Sequence, residues 1–298
     1  MAVLVECVPN FSEGINLEAV ARIVAPFIST AGVKLLDYSS DRDHNRTVVT
    51  VMGDPAGVKK AMIEAAGIAV KEIDMRSHQG EHPRMGAVDV VPFIPIQNYT
   101  MDESIILAQE AAEEMAARYD LPIFLYEKAA TRPERENLAN VRKGEFEGMA
   151  AKLLLPEWTP DFGPAQIHPT AGVTAVGARM PLVAFNINLN TDNLEIANQI
   201  ARCIRHISGG LRYCKAMGVA LKERNIVQVS INMTDYTKTA LYRVFEIVRF
   251  EARRYGVEIV GSEIVGLAPM AALIDAAVYY MRIEDFKLEQ VIEQRMLE

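Results

Sequence analysis

The chain has 298 residues, 50% of them hydrophobic and 23% charged, with 39 acidic against 31 basic side chains and a net charge of −8. That length allows one large core or two ordinary ones, and the acidic balance excludes the broad basic face that a nucleic-acid partner requires. No apolar run of about twenty residues offers a membrane span, and three scattered cysteines (Cys7, Cys203 and Cys214) exclude a disulfide framework or a zinc ribbon.

The opening residues MAVLVECVPNF have no basic n-region and carry Glu6 inside their apolar run, so they do not read as a signal peptide and a cytoplasmic location is expected. Residues 3–11 run apolar like a half-buried strand. A helix over 16–29 follows, with Asn16 as its N-cap. Residues 33–40 and 46–53 (RTVVTVMG) read as two strands, the second rich in β-branched residues. Asp54-Pro55 supplies a cap and a first-turn proline for a helix to about residue 73, with Val58, Met62, Ala65, Ala69 and Ile73 on one face. Residues 87–96 (AVDVVPFIPI) form a fourth strand, its two prolines suggesting an edge or an irregular end. The order is βαββαβ, a ferredoxin-like arrangement.

A helix over 102–118 and a strand over 122–128 come next, then a polar, mostly helical connection. Residues 160–179 (PDFGPAQIHPTAGVTAVGAR) are dense in Gly and Pro and read as a long loop, either functional or a linker. The βαββαβ order then recurs, with strands at 182–190, 212–222, 226–235 and 257–266 and helices at 193–207 and 238–255. A last apolar helix begins near Met270. Asn-Leu-Glu opens the first helix of each half, at Asn16 and Asn193. The fold class is therefore α+β, two ferredoxin-like subdomains with additional helices, occupying 1–180 and 181–298.

HQGEHPRMG (78–86) contains H-x-x-E-H, the inverted zinc-peptidase motif. Such a site needs both histidines on one face of a helix. Gly80 lies between them, Pro83 biases His82 away from helical torsions, and a strand follows, so no metal is expected. His78, Glu81, His82, Arg84 and Asp89 instead crowd a turn entering a buried strand, where catalytic groups concentrate, and histidine suits proton transfer near neutrality. A second cluster, DYSSDRDHNRT (37–47), exceeds what a turn requires in His44 and Arg46, and Arg46 can grip a carboxylate. A third, VPNFSEG (8–14), joins a strand end to a helix start, where backbone N–H groups either cap the helix or receive an anion.

VECVPNFSEG (5–14), HNRTVVTVMG (44–53), GEHPRMGAVDVVPFIPI (80–96), PDFGP (160–164) and VAFNINL (183–189) closely resemble glutamate formimidoyltransferases, the formiminotransferase part of formiminotransferase-cyclodeaminase. The resemblance runs from residue 3 to about 285, and no cyclodeaminase part is expected. It implies transfer of a formimidoyl group between glutamate and N5 of tetrahydrofolate in histidine degradation, with folate as co-substrate and no metal. It further implies a homodimer, His82 as catalytic acid/base, and a folate site between the subdomains, lined by Gly163, Pro164, Gln166, His168, Thr170 and Gly172. Asp37 or Glu81 is expected to orient the imidazole. Arg46, Arg84 and Arg179 are candidates for the glutamate carboxylates and folate tail, with Asn10, Ser12, His44 and Asn45 beside them. Two alternatives stay open: formyl transfer from formylglutamate, and a non-catalytic folate-binding protein.

Overall fold

A computed structural model describes residues 2–297, with the side chains of Met296 and Leu297 excepted. Two compact units divide at Arg179/Met180.

The first unit begins with β1 (Leu4–Cys7) and β2 (Asn10–Phe11), the strand expected over 3–11 interrupted at Val8-Pro9. Proline has no N–H for the ladder, although its carbonyl still accepts from Val49 N at 3.0 Å. Helix α1 (Leu17–Ser29) starts where Asn16 Oδ1 accepts from Ala19 N. Strands β3 (Val33–Asp41) and β4 (Arg46–Gly53) pair antiparallel. Helix α2 (Pro55–Glu72), capped by Asp54, leads to β5 (Val88–Gln97). The order across the sheet is β3-β4-β1/β2-β5, the ferredoxin-like pattern. Helices α1 and α2 lay Ile23, Phe27, Val58 and Met62 against Cys7, Val49, Val51 and Phe93 on one face.

Helix α3 (Met101–Tyr119), opened by a Thr100/Glu103 capping box, and β6 (Ile123–Glu127) extend this frame. The sheet then corrects one expectation. Residues 160–179 are not all loop, because β7 (Thr174–Ala178) inserts between β5 and β6, parallel to both. Its sequence TAVGA is short and small, and every residue is buried, as befits a parallel strand covered on both faces. The connection from β6 to β7 carries α4 (Leu138–Arg142) and α5 (Glu145–Lys152). These pack Val141, Met149 and Leu153 on Val90, Phe124, Tyr126 and Ala175, on the face away from α1–α3.

The second unit contains β8 (Val183–Leu189), α6 (Leu194–Ile204), β9 (Cys214–Leu221), β10 (Ile226–Met233), α7 (Leu241–Arg254) and β11 (Ile259–Val265), followed by α8 (Met270–Met281) and α9 (Ile292–Leu297). Its antiparallel order, β11-β8-β10-β9, repeats the arrangement of the first. Asn193 caps α6 through Glu195 N, as Asn16 caps α1. No helix of the described residues is long and apolar enough to cross a membrane.

Candidate active site

Three loops of the first unit meet around Asn45. Its backbone sits at φ +45°, a left-handed conformation that asparagine tolerates better than most residues. The side chain accepts from Gly14 N at 2.9 Å and donates to Gln79 O at 2.9 Å, and the backbone carbonyl of Asn45 bonds His78 Nε2 at 2.9 Å. One residue thus ties the β2–α1 loop, the β3–β4 turn and the segment entering β5. Glu81 N reaches Asp43 O at 3.1 Å, and Ser12 Oγ donates to Gly86 O at 2.8 Å. Gly80 passes so close to the turn that a Cβ there would stand 2.2 Å from His44 O. The three clusters singled out in the sequence therefore form one place in space.

Replacing Asn45 by alanine removes one buried and one part-buried hydrogen bond and leaves an alanine in left-handed backbone. An unmade buried bond costs about 1–3 kcal/mol and the conformation about 1–2 kcal/mol. A loss of about 3 kcal/mol is expected by urea unfolding, and a loss below 1 kcal/mol would deny Asn45 its joining role.

The segment 78–86 is not helical, as Gly80 and Pro83 require. His82 is half-buried, its ring edge-on to that of His44 at 6.0 Å between centroids. Its Nδ1 is buried and has no hydrogen-bond partner. Burial, then the guanidinium groups of Arg46 and Arg142, pull its pKa down to about 4, against a weaker opposing pull from Asp89. The imidazole is neutral at pH 7. No bond from Asp37 or Glu81 reaches Nδ1: Asp37 lies exposed on β3 opposite Thr50, and the Glu81 side chain is exposed.

Arg46, at the start of β4, donates through Nη2 to Asn10 Oδ1, an uncharged partner. Burial and the neighbouring Arg142 lower its pKa to about 10. A largely buried cation with no carboxylate of its own is costly unless an anion reaches it. Arg84 is different. Its guanidinium meets Glu145 at 3.0 Å and Glu147 at 2.7 Å, and its Nε donates to His78 Nδ1 at 3.2 Å. With Nδ1 accepting, His78 carries its proton on Nε2 and gives it to the Asn45 carbonyl. Arg84 thus fastens α5 to the loop, beside a cleft of about 520 Å³ lined by Arg76, His78, Gly80, Arg84, Glu145 and Glu147. His44 is exposed and paired with Asp41, Nδ1 to Oδ2 at 2.9 Å.

The remaining expected residues spread out. Arg179 N bonds Phe93 O, and its guanidinium acts on Glu6 and Tyr126. Phe93 lies four residues along β5 from Asp89, roughly 13 Å at strand rise. Gly163 and Pro164 line a hollow against Glu113, Ala117 and Asp120 of the α3 end, and Gln166 is exposed. His168 pairs with Gly172 across a tight turn, and its Nδ1 accepts from Ala171 N at 2.9 Å. Thr170 O accepts from Met75 N at 2.8 Å, and Gly172 bridges Gly86, so only this half of the predicted folate loop abuts the His82 segment.

Arg142 is the site residue that sequence reasoning missed. It arrives on α4 and meets Asp89, whose other oxygen accepts from Met85 N at 2.9 Å. Asn10 pairs with Val90 and Phe11 with Val88, so Asp89 is the extra residue of a β-bulge.

Comparison with known proteins places these residues in a wider set. Residues 4–179 match the family model described as "Formiminotransferase domain, N-terminal subdomain", and residues 184–297 match "Formiminotransferase domain". The chain is 56% identical over 298 residues to glutamate formimidoyltransferase of Streptococcus pyogenes serotype M1, covering all of both chains. It is 44% identical to glutamate formimidoyltransferase of Thermoplasma acidophilum, over 98% of this chain and 97% of that one. It is also 44% identical to formimidoyltransferase-cyclodeaminase of Rattus norvegicus, over 97% of this chain and 55% of the longer rat protein.

Proposed function

The chain belongs to the formiminotransferase family, and from that premise we propose that it moves a formimidoyl group between the nitrogen of glutamate and N5 of tetrahydrofolate. The observation that carries this reading is a neutral, half-buried imidazole beside a guanidinium that lacks a carboxylate partner.

In the direction of folate loading, N5 attacks the formimidoyl carbon and forms a C–N bond. The proton of N5 passes to His82 Nε2, because Nδ1 is buried. The C=N π pair of the protonated formimidoyl group moves onto its nitrogen, so the carbon becomes tetrahedral, holding the folate nitrogen, the glutamate nitrogen and its own amino nitrogen. The same pair re-forms C=N when glutamate departs. His82 then returns the proton to the glutamate nitrogen as that C–N bond breaks, and glutamate leaves as an amine. One group serves as base and then as acid, so the cycle closes without net proton gain. A pKa pulled down to about 4 leaves the free base abundant at pH 7 and makes the imidazolium, once formed, a ready donor to the leaving nitrogen. Arg46 would hold a carboxylate of the glutamate part, and both substrates gain from being fixed in one orientation.

The reading extends to tetrahydrofolate as co-substrate, supported by the same family membership, and takes the protein to act as a cytoplasmic homodimer. Purified protein given tetrahydrofolate with either formimidoylglutamate or formylglutamate tests it. A kcat/KM at least tenfold higher for formimidoylglutamate is expected. A preference for the formyl compound, or folate binding without turnover, would overturn it.

A further inference from the structure

Arg46 and Arg142 are anchored on neighbouring strands at adjacent register positions. Asn10 of β2, which holds Arg46, pairs with Val90, and Asp89, which holds Arg142, is the residue before it on β5. Paired Cα atoms in an antiparallel ladder lie about 4.5–5.5 Å apart, so the two anchors stand one step apart. Each guanidinium spends one Nη on its anchor. The Nε of each is without a partner, and neither has another acceptor among the described residues. Only Arg142 is ion-paired, to Asp89, which also serves Met85 N; Arg46 feels Asp89 and Asp41 through space but bonds neither.

We propose that Arg142 completes with Arg46 a two-guanidinium seat for the α-carboxylate of the glutamate substrate. The proposal rests on the transfer reading above and names the substrate group that the pair receives. In glutamate the α-carboxylate and the reacting nitrogen share one carbon, so whatever binds that carboxylate must stand beside the proton-transfer group. Planar guanidinium forks fit a carboxylate. The bulge at Asp89 is the device that turns a buried strand residue toward α4, and so imports an arginine from outside the βαββαβ frame.

The charged and titratable groups around His82 are His44 with Asp41 from the β3–β4 turn, Arg46 from β4, Asp89 from β5, Arg142 from α4, and Glu81, Arg84 and His78 of its own loop. Burial first, and then Arg46 and Arg142 among these charges, favour the neutral imidazole. A bound carboxylate cancels part of their field, so glutamate raises the basicity of the group that acts on it.

The test uses the whole protein. On the wild type, L-glutamate and 4-aminobutyrate, which lacks the α-carboxylate, are compared as product inhibitors. Glutamate is expected to bind at least tenfold more tightly. Arg142→Gln is expected to raise KM for formimidoylglutamate about 10- to 100-fold, the range of a charge-assisted contact. It should leave KM for tetrahydrofolate within twofold and abolish the preference for glutamate, and Arg142→Lys should recover part of the loss. Histidine ring NMR adds a readout that a merely structural role would not move: glutamate raises the His82 titration midpoint in the wild type and not in Arg142→Gln. Equal inhibition by both amines in the wild type, or an unchanged KM for formimidoylglutamate in folded Arg142→Gln, overturns the seat. Wild type that binds glutamate by calorimetry but transfers nothing overturns the functional reading instead.

Discussion

His82→Asn is expected to lower kcat about 10²–10⁴-fold, the usual contribution of a positioned acid/base, while KM for both substrates stays within about threefold. The asparagine keeps a polar atom near Nδ1 but offers nothing that cycles a proton at Nε2. Stability at pH 7 should scarcely change, because Nδ1 has no hydrogen bond to lose. At lower pH the sign reverses in favour of the variant. The folded-state pKa of His82 is depressed to about 4 from an ordinary 6.5, so between these values the unfolded chain binds the proton and the folded one does not. Wild type therefore loses stability through this group as pH falls from about 6.5 to 4, and His82→Asn escapes that loss. Steady-state rates at pH 7, with urea unfolding at pH 7 and pH 5, check both halves. A kcat within tenfold of wild type, with folate still bound, would remove His82 from the chemistry.

Much of this is legible in the sequence alone, and the exceptions have physical causes. Asn16 and Asn193 announced two helix starts because a short side-chain acceptor satisfies an orphan N–H locally. RTVVTVMG could hardly be anything but a strand. TAVGA, by contrast, has no alternation to show, since a parallel strand buried on both faces needs none, and it hid inside a Gly/Pro-rich stretch. The site divides in the same way. Pro83 after His82 excluded the helix that a zinc motif needs. Two of the loop clusters stand out by their charged and imidazole side chains, and the third, VPNFSEG, by its place between a strand end and a helix start. What joins them is Asn45, which in sequence is indistinguishable from turn chemistry. Arg142 was invisible because one arginine in a polar helical segment reads as a solvated face. Its contact exists only because the β6–β7 connection returns over the sheet to meet a bulge that pairing register alone reveals.

That same connection supplies the largest expected loss of stability. Arg135 is a charged side chain only 1% exposed, and its guanidinium binds the Asp161 carboxylate at 2.6 Å, Glu157 O at 2.8 Å and Thr159 O at 2.6 Å. It lies over the Phe124 ring at 5.0 Å and the Trp158 ring at 5.9 Å. Arg135→Ala would strip two part-buried carbonyls of their donor and leave the Asp161 carboxylate without its cation, so the cost includes the stranded partners as well as the cavity. Breaking a buried pair in this way typically costs about 3–5 kcal/mol, a large share of the ~5–15 kcal/mol that holds a domain together. Trp158 is the sole tryptophan and stands edge-on to Phe124 at 5.8 Å, with Lys152 Nζ 3.8 Å from its ring, so intrinsic fluorescence reports this cluster directly. Lys152 in turn donates to the carbonyls of Asn140 and Val141 at 2.7 Å each, at the end of α4. Loosening Arg135 should therefore reach Arg142 through α4. Arg135→Ala is expected to lower the urea midpoint of Trp158 fluorescence and to weaken binding of the glutamate substrate together with it. Arg135→Lys, which keeps the charge but loses the planar fork, should fall between. A midpoint change worth less than about 1 kcal/mol would show that the aromatic cluster holds this segment without the arginine.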